Sequence, residues 1–166
     1  AYVGGNIGKP LLDYITDGLK AEAVVAELSS FQLELTQRLI PAVALFTNLE
    51  EDHLDRYQDM EAYTAAKKRL LTACDKNSYV VLNADNVNIA KFANENPGRL
   101  MWFTKRNPMQ IGGEFAERFV GVYYDASKRR IVDRITSKEE IYDLSTFKLF
   151  GDHNRENLMG AICAAR

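Results

Sequence analysis

Short apolar runs separated by helical stretches constrain this chain more than any other feature. Tyr2-Val3, Ala23-Val-Val-Ala-Glu-Leu28, Ala42-Val-Ala-Leu-Phe-Thr47, Tyr79-Val-Val-Leu-Asn83 and Leu100-Met-Trp-Phe-Thr104 each read as a strand. The longer ones are apolar on both faces, the pattern of parallel strands covered by helices. Between the runs, Pro10 suits the first turn of a helix whose apolar face is Leu11, Leu12, Ile15 and Leu19. Residues 59–73 form a strongly periodic helical stretch, and residues 86–94 a shorter one. The alternation predicts an α/β fold, a mostly parallel sheet with helices on both faces. After Thr104 the texture changes. Gly112-Gly113, Val120-Gly-Val-Tyr-Tyr124, Arg130-Ile-Val-Asp133 and Glu140-Ile-Tyr-Asp-Leu144 read as a small antiparallel β extension with polar turns. A last helix follows, with Asp152 or Asn154 as its cap and Leu158, Ile162 and Ala165 on its buried face.

A chain of 166 residues suffices for one domain with a real core. Its net charge of -2 gives no basic footprint for nucleic acid, and its apolar runs are too short to cross a membrane as helices. Cys74 and Cys163 sit in apolar helical settings without metal-ligand spacing, which reads as buried free thiols of a cytoplasmic protein. The first residues lack a signal-like pattern and begin as if inside a strand, and the last stop inside a helical pattern; both ends read as those of a fragment.

Five groups of residues could carry chemistry. Gly4-Gly-Asn-Ile-Gly8 joins a strand to a helix, where backbone N–H groups suit a phosphate; a plain tight turn is the alternative. Gly8-Lys9 is not a P-loop, because Pro10 stands where Ser or Thr is required. Glu27, inside an apolar strand, needs a partner such as Mg²⁺ if buried, or else backbone donors at the strand end. Asn48-Leu-Glu-Glu-Asp-His-Leu-Asp-Arg-Tyr57 places His53 among four acids after a buried strand, as a cation or phosphate site or as a solvated loop. Lys67 falls on the inward stripe defined by Met60, Tyr63, Leu70 and Leu71, so it must snorkel, pair or be modified. Asp152-His-Asn154 and Asn157 offer amides for a base or ribose, although helix caps explain them equally well.

Taken together and in this order, Gly5-Asn-Ile-Gly8, Glu27-Leu-Ser-Ser-Phe-Gln-Leu-Glu34, Asp52-His-Leu-Asp-Arg-Tyr57, Ala65-Ala-Lys67, Asn83-Ala-Asp85 and Gly151-Asp-His-Asn-Arg-Glu-Asn157 resemble the Mur ligases. The second and third strings are most like members that add D-glutamate. The resemblance implies most of a central ATP-binding domain, without the upstream P-loop, the N-terminal UDP-binding domain and the C-terminal domain. It implies that Glu27 and His53 bind two Mg²⁺ ions and that Lys67 becomes carbamylated into a further metal ligand. These three are the implied catalytic residues. Asn6, Gly8, Ser29 and Gln32 are implied to hold the UDP-muramoyl substrate, and Asn154 and Asn157 to contact the adenine nucleotide.

The implied reaction joins D-glutamate to UDP-N-acetylmuramoyl-L-alanine at the expense of ATP, through an acyl phosphate. The rival expectations are another ligase of this shape, such as a folate-type one, or a fragment that only binds substrate or nucleotide. Loss of the P-loop strand would leave an exposed sheet edge, which predicts self-association or reduced stability.

Overall fold

The computed structural model describes residues 1–51, 56–145, 147–148 and 151–166. The elements begin with β1 (Tyr2–Gly5), α1 (Leu11–Thr16), β2 (Val24–Glu27), α2 (Ser30–Leu35), β3 (Val43–Phe46), α3 (Met60–Thr72) and β4 (Tyr79–Asn83). There follow α4 (Val87–Ala90) with a 3₁₀ turn at Lys91–Glu95, β5 (Arg99–Thr104), α5 (Pro108–Ile111), α6 (Gly113–Glu117), β6 (Gly121–Asp125), β7 (Arg130–Asp133), β8 (Glu140–Asp143) and α7 (Asp152–Ala165). The chain divides into two compact units, Ala1–Gln37 with His53–Arg69, and Arg38–Asp52 with Leu70–Arg166.

In the first unit β1 and β2 form a two-stranded parallel sheet with Gly5 opposite Glu27. The sequence suggests a strand buried on both faces at residues 23–28; instead every residue of β2 is exposed, Val25 at 55%. Of the expected apolar face of α1, Leu12, Ile15 and Leu19 are exposed as well, Leu12 at 64%, and Leu11 is half-buried. Two strands and a six-residue helix cannot bury such surface among themselves. The tight packing in this unit is aromatic: Phe31 stacks on Tyr57 at 6.1 Å, and Tyr57 meets Tyr63 of α3 at 5.4 Å.

The second unit holds a six-stranded sheet in the order β3-β4-β5-β6-β7-β8. Strands β3 to β6 pair in parallel, while β7 and β8 return antiparallel. The antiparallel extension therefore starts one strand later than the sequence suggests, because the segment around Gly112-Gly113 is a helical crossover rather than a strand. Asn107 accepts from the Met109 N–H at 3.0 Å, Pro108 begins α5, and both glycines have positive φ between α5 and α6. That Asn-Pro pair was the available signal.

Alternation along the strands builds two cores. Val81, Met101, Phe103, Val122 and Ile131 face α7, which lies across β3 to β6 and buries Met159 and Cys163 among them. Tyr123 and Val132 face the other way, onto Phe119, Trp102 and Phe115. The buried stripe of α7 centres on Met159, Gly160 and Cys163, flanked by Leu158 and Ile162; Ala165, expected there, is exposed. Both cysteines are free and buried, as expected.

Met159 is wholly buried, so Met159→Ala should cost about 2–5 kcal/mol in urea unfolding. Burial first, and then the charge of Asp133, push the Cys163 thiol from 9.0 up to about 12. Above 9.0 the unfolded chain loses this proton while the folded chain keeps it, so stability is full below that pH and falls as pH rises toward about 12. The contribution is ~1.4 kcal/mol per pH unit, and unfolding midpoints of Cys163→Ala should show a correspondingly flatter alkaline decline.

Candidate functional site

The first unit gathers most of the sequence-selected residues at the carboxyl ends of β1 and β2, the edge where open α/β sheets place ligands. The Asn6 N–H donates to the Glu27 carbonyl at 2.8 Å, and Asn6 Nδ2 lies 3.5 Å from Glu27 Oε1. This juxtaposition depends on Gly5, whose φ is +123° and where a Cβ would lie 2.2 Å from the Glu27 carbonyl oxygen. The Gly5 N–H donates to the Lys9 carbonyl at 2.8 Å. Two amides of the turn are thus engaged internally, which removes them from a phosphate cradle. Gly8, at φ +80°, is exposed.

Glu27 is not the buried charge that the sequence suggests. Its strand is exposed, and among the described residues its carboxylate receives one long bond, from Asn6. Carboxylate oxygens are hard donors of the kind that suits Mg²⁺.

Ser29 and Gln32 form a capping box at the start of α2. The Gln32 N–H donates to Ser29 Oγ at 3.2 Å, and the Ser29 N–H donates to Gln32 Oε1 at 2.9 Å. Ser29 Oγ also donates to that oxygen at 3.1 Å. Among the described residues, what remains for a ligand is one lone pair on Ser29 and the two N–H donors of the Gln32 amide.

Lys67 is half-buried on α3, with Nζ 5.8 Å from the centre of the Tyr63 ring, a cation–π contact. It lies at the margin of the buried stripe of Tyr63, Ala66 and Leu71. An ammonium donates and cannot ligate a cation; a carbamate on the same nitrogen could, so Lys67 fits a metal site only once modified. His53 lies outside the described residues. Among the described residues no group of three or more His, Cys, Asp or Glu stands close enough to hold a metal, and no helix is long and apolar enough to span a membrane.

The second unit presents a different polar edge, at the carboxyl ends of β3, β4, β5 and β6. Asn83, 2% exposed, donates through Nδ2 to the Thr47 carbonyl at 2.9 Å and to Glu156 Oε2 at 3.1 Å. Lys105 Nζ sits 2.6 Å from Glu156 Oε1, and this pair holds the Lys105 ammonium above its ordinary pKa. Asp85 accepts from Thr104 Oγ1 at 3.0 Å, from the Lys105 N–H at 2.6 Å and from Arg106 Nε at 2.9 Å. Arg155 pairs with Asp152 and lies 4.7 Å over the Tyr124 ring. Beyond β5 and β6 a cavity of ≈ 180 Å³ is lined by Lys105, Arg106, Gln110, Tyr124 and Ser127. It is smaller than the usual pocket for a drug-sized ligand.

Asn154 and Asn157 lie in the first turns of α7, half-buried and exposed respectively. Neither Asp152 nor Asn154 caps the helix. Gly151 stands at the cap, at φ +98°, with no side-chain hydrogen bond to the helix N–H groups. Sequence reasoning left Glu156, Lys105 and Thr104 out of the site, although Asn83 and Asp85, polar residues closing a buried strand, were a usable signal. The predicted metal and UDP-substrate residues that are described all fall in the first unit, and the nucleotide residues in the second.

Two kinds of comparison bear on this arrangement. The family described as Mur ligase middle domain matches residues 5–165. A UDP-N-acetylmuramoylalanine--D-glutamate ligase of Geotalea daltonii is 41% identical over 98% of this chain and 34% of that protein. The protein of that name from Acidobacterium capsulatum is 37% identical over 99% of this chain and 34% of its own length. The chain thus spans about a third of these curated relatives. Among solved structures, MurF from Acinetobacter baumannii superposes with a TM-score of 0.58 at 14% identity, over 99% of this chain and 41% of that one, a likeness of fold.

Gly5→Ala would force a side chain against the β2 backbone. It should lower the unfolding midpoint and separate Asn6 from Glu27, which the amide chemical shifts of both residues would report; unchanged shifts would contradict the tight approach.

Proposed function

The chain belongs to the Mur ligase family, as a middle domain, and on that premise we propose that it is the ATP-binding core of a UDP-N-acetylmuramoylalanine--D-glutamate ligase. The observation that carries the reading is the nearly end-to-end match to relatives of that name, 41% identical over 98% of the chain. That match favours the D-glutamate ligase over other ligases of this shape. The substrates are UDP-N-acetylmuramoyl-L-alanine, D-glutamate and ATP, and the product is a peptidoglycan precursor.

In this reading the terminal carboxylate of the UDP-substrate attacks the γ-phosphorus of ATP, and ADP leaves. The D-glutamate amine then attacks the acyl phosphate, and phosphate departs as the amide forms. Such transfers demand positioning and charge neutralisation rather than a protein nucleophile. Asn6, Gly8, Ser29 and Gln32 hold the UDP-substrate, the Gln32 amide N–H groups being donors that suit its oxygens. Asn154 and Asn157 contact the adenine nucleotide. Glu27, His53 and carbamylated Lys67 would hold two Mg²⁺ ions, and such ions would supply neutralisation of phosphate and carboxylate charge. Carbamylation requires the neutral amine: the Lys67 ammonium gives up one proton, and its Nζ then bonds to carbon dioxide with release of a second. The open carboxylate of Glu27 and the half-buried position of Lys67 are consistent with these roles.

The full-length protein carrying this segment should release phosphate from ATP only with both other substrates present. Lys67→Ala should lower that rate by about 10²-fold or more, as loss of a charge-stabilising group does in other enzymes. Near-normal turnover by a folded Lys67→Ala protein would remove the lysine from the mechanism.

A further inference from the structure

We infer that Glu156 is a positioning residue, setting the nucleotide-contacting turn of α7 through Asn83 and Lys105. The inference rests on the nucleotide reading of Asn154 and Asn157. The start of α7 has no side-chain cap, because Gly151 stands at that position. Its position comes from the sheet instead. Glu156 takes Asn83 Nδ2 on one carboxylate oxygen at 3.1 Å and Lys105 Nζ on the other at 2.6 Å.

Both donors are themselves held. Asn83 Nδ2 also donates to the Thr47 carbonyl at 2.9 Å, and its Oδ1 accepts from the Asp85 N–H at 2.9 Å, so the amide cannot rotate without losing bonds. The Lys105 backbone is pinned by its N–H to Asp85 Oδ2 at 2.6 Å. Glu156 is therefore clamped to the ends of neighbouring strands by charge-assisted bonds, the stronger class.

Helix geometry separates this clamp from the ligand side. Asn154 and Asn157 are three residues apart and share a face, while Glu156 points about 130° away from its centre, at 100° per residue. Glu156 would thus fix the rotation and height of both amides without touching the nucleotide. A displacement of well under a helical turn would misalign them.

The test uses the full-length protein, measuring KM for ATP and kcat separately. Glu156→Ala should raise KM for ATP about tenfold with kcat within about twofold, and Glu156→Gln, which keeps the acceptor for Asn83, should recover part of the loss. Lys105→Met should weaken ATP in the same direction and serves if Glu156→Ala does not fold. Unchanged KM in both Glu156→Ala and Lys105→Met, with Asn157→Ala impaired, would overturn the positioning role alone. Unchanged KM in Asn157→Ala as well would show that the nucleotide reading has failed, and the inference with it.

Discussion

The second unit depends on how α7 is held against the carboxyl ends of its parallel strands, and one buried amide ties that arrangement together. Asn83 ends β4 with almost no exposure, so each of its polar atoms must be satisfied within the protein. It reaches the carbonyl after β3, the N–H of Asp85 and the carboxylate of Glu156. Asp85 extends the network to the end of β5 through Thr104 and Lys105. Removing such a group leaves several partners unpaired, and each buried orphan costs about 1–3 kcal/mol. Below this polar layer, Met159 and Cys163 fix the same helix by apolar packing. The helix is thus located twice, by shape over the sheet and by charge at the sheet's edge.

The two units solve different problems. In the second, helical segments pack over apolar clusters on the sheet. In the first, β1 and β2 approach closely enough to require glycine, yet the side chains of β2 stand open while Tyr2 of β1 is buried. The polar groups there are ordered by short-range means: a capping box for Ser29 and Gln32, a backbone bond from Asn6 to Glu27, and a ring beneath Lys67.

The strands were legible because apolar runs of about the right length, with helices between, admit few other folds. Tyr79 to Asn83 coincides with β4 at both ends. The burial of β2 was not legible, since Val24 and Val25 read alike whether covered or open. The α5–α6 crossover was not legible while Gly112-Gly113 read as part of the antiparallel extension and the helix-starting Asn107-Pro108 pair was given no weight. Lys67 was legible from the helical period, for a lysine on an apolar stripe violates the pattern and so marks itself. Glu156 was not: a glutamate in a first turn is ordinary, and what sets it apart lies many residues away in Asn83 and Lys105.

The most direct measurement of the central claim is mass spectrometry of the product formed by the full-length protein from ATP, UDP-N-acetylmuramoyl-L-alanine and D-glutamate. The account predicts one amide-linked D-glutamate on the UDP-substrate, with ADP and phosphate in equal amounts. Absence of that product from folded protein with all three substrates and Mg²⁺ present, or equal use of unrelated amino acids, would contradict it.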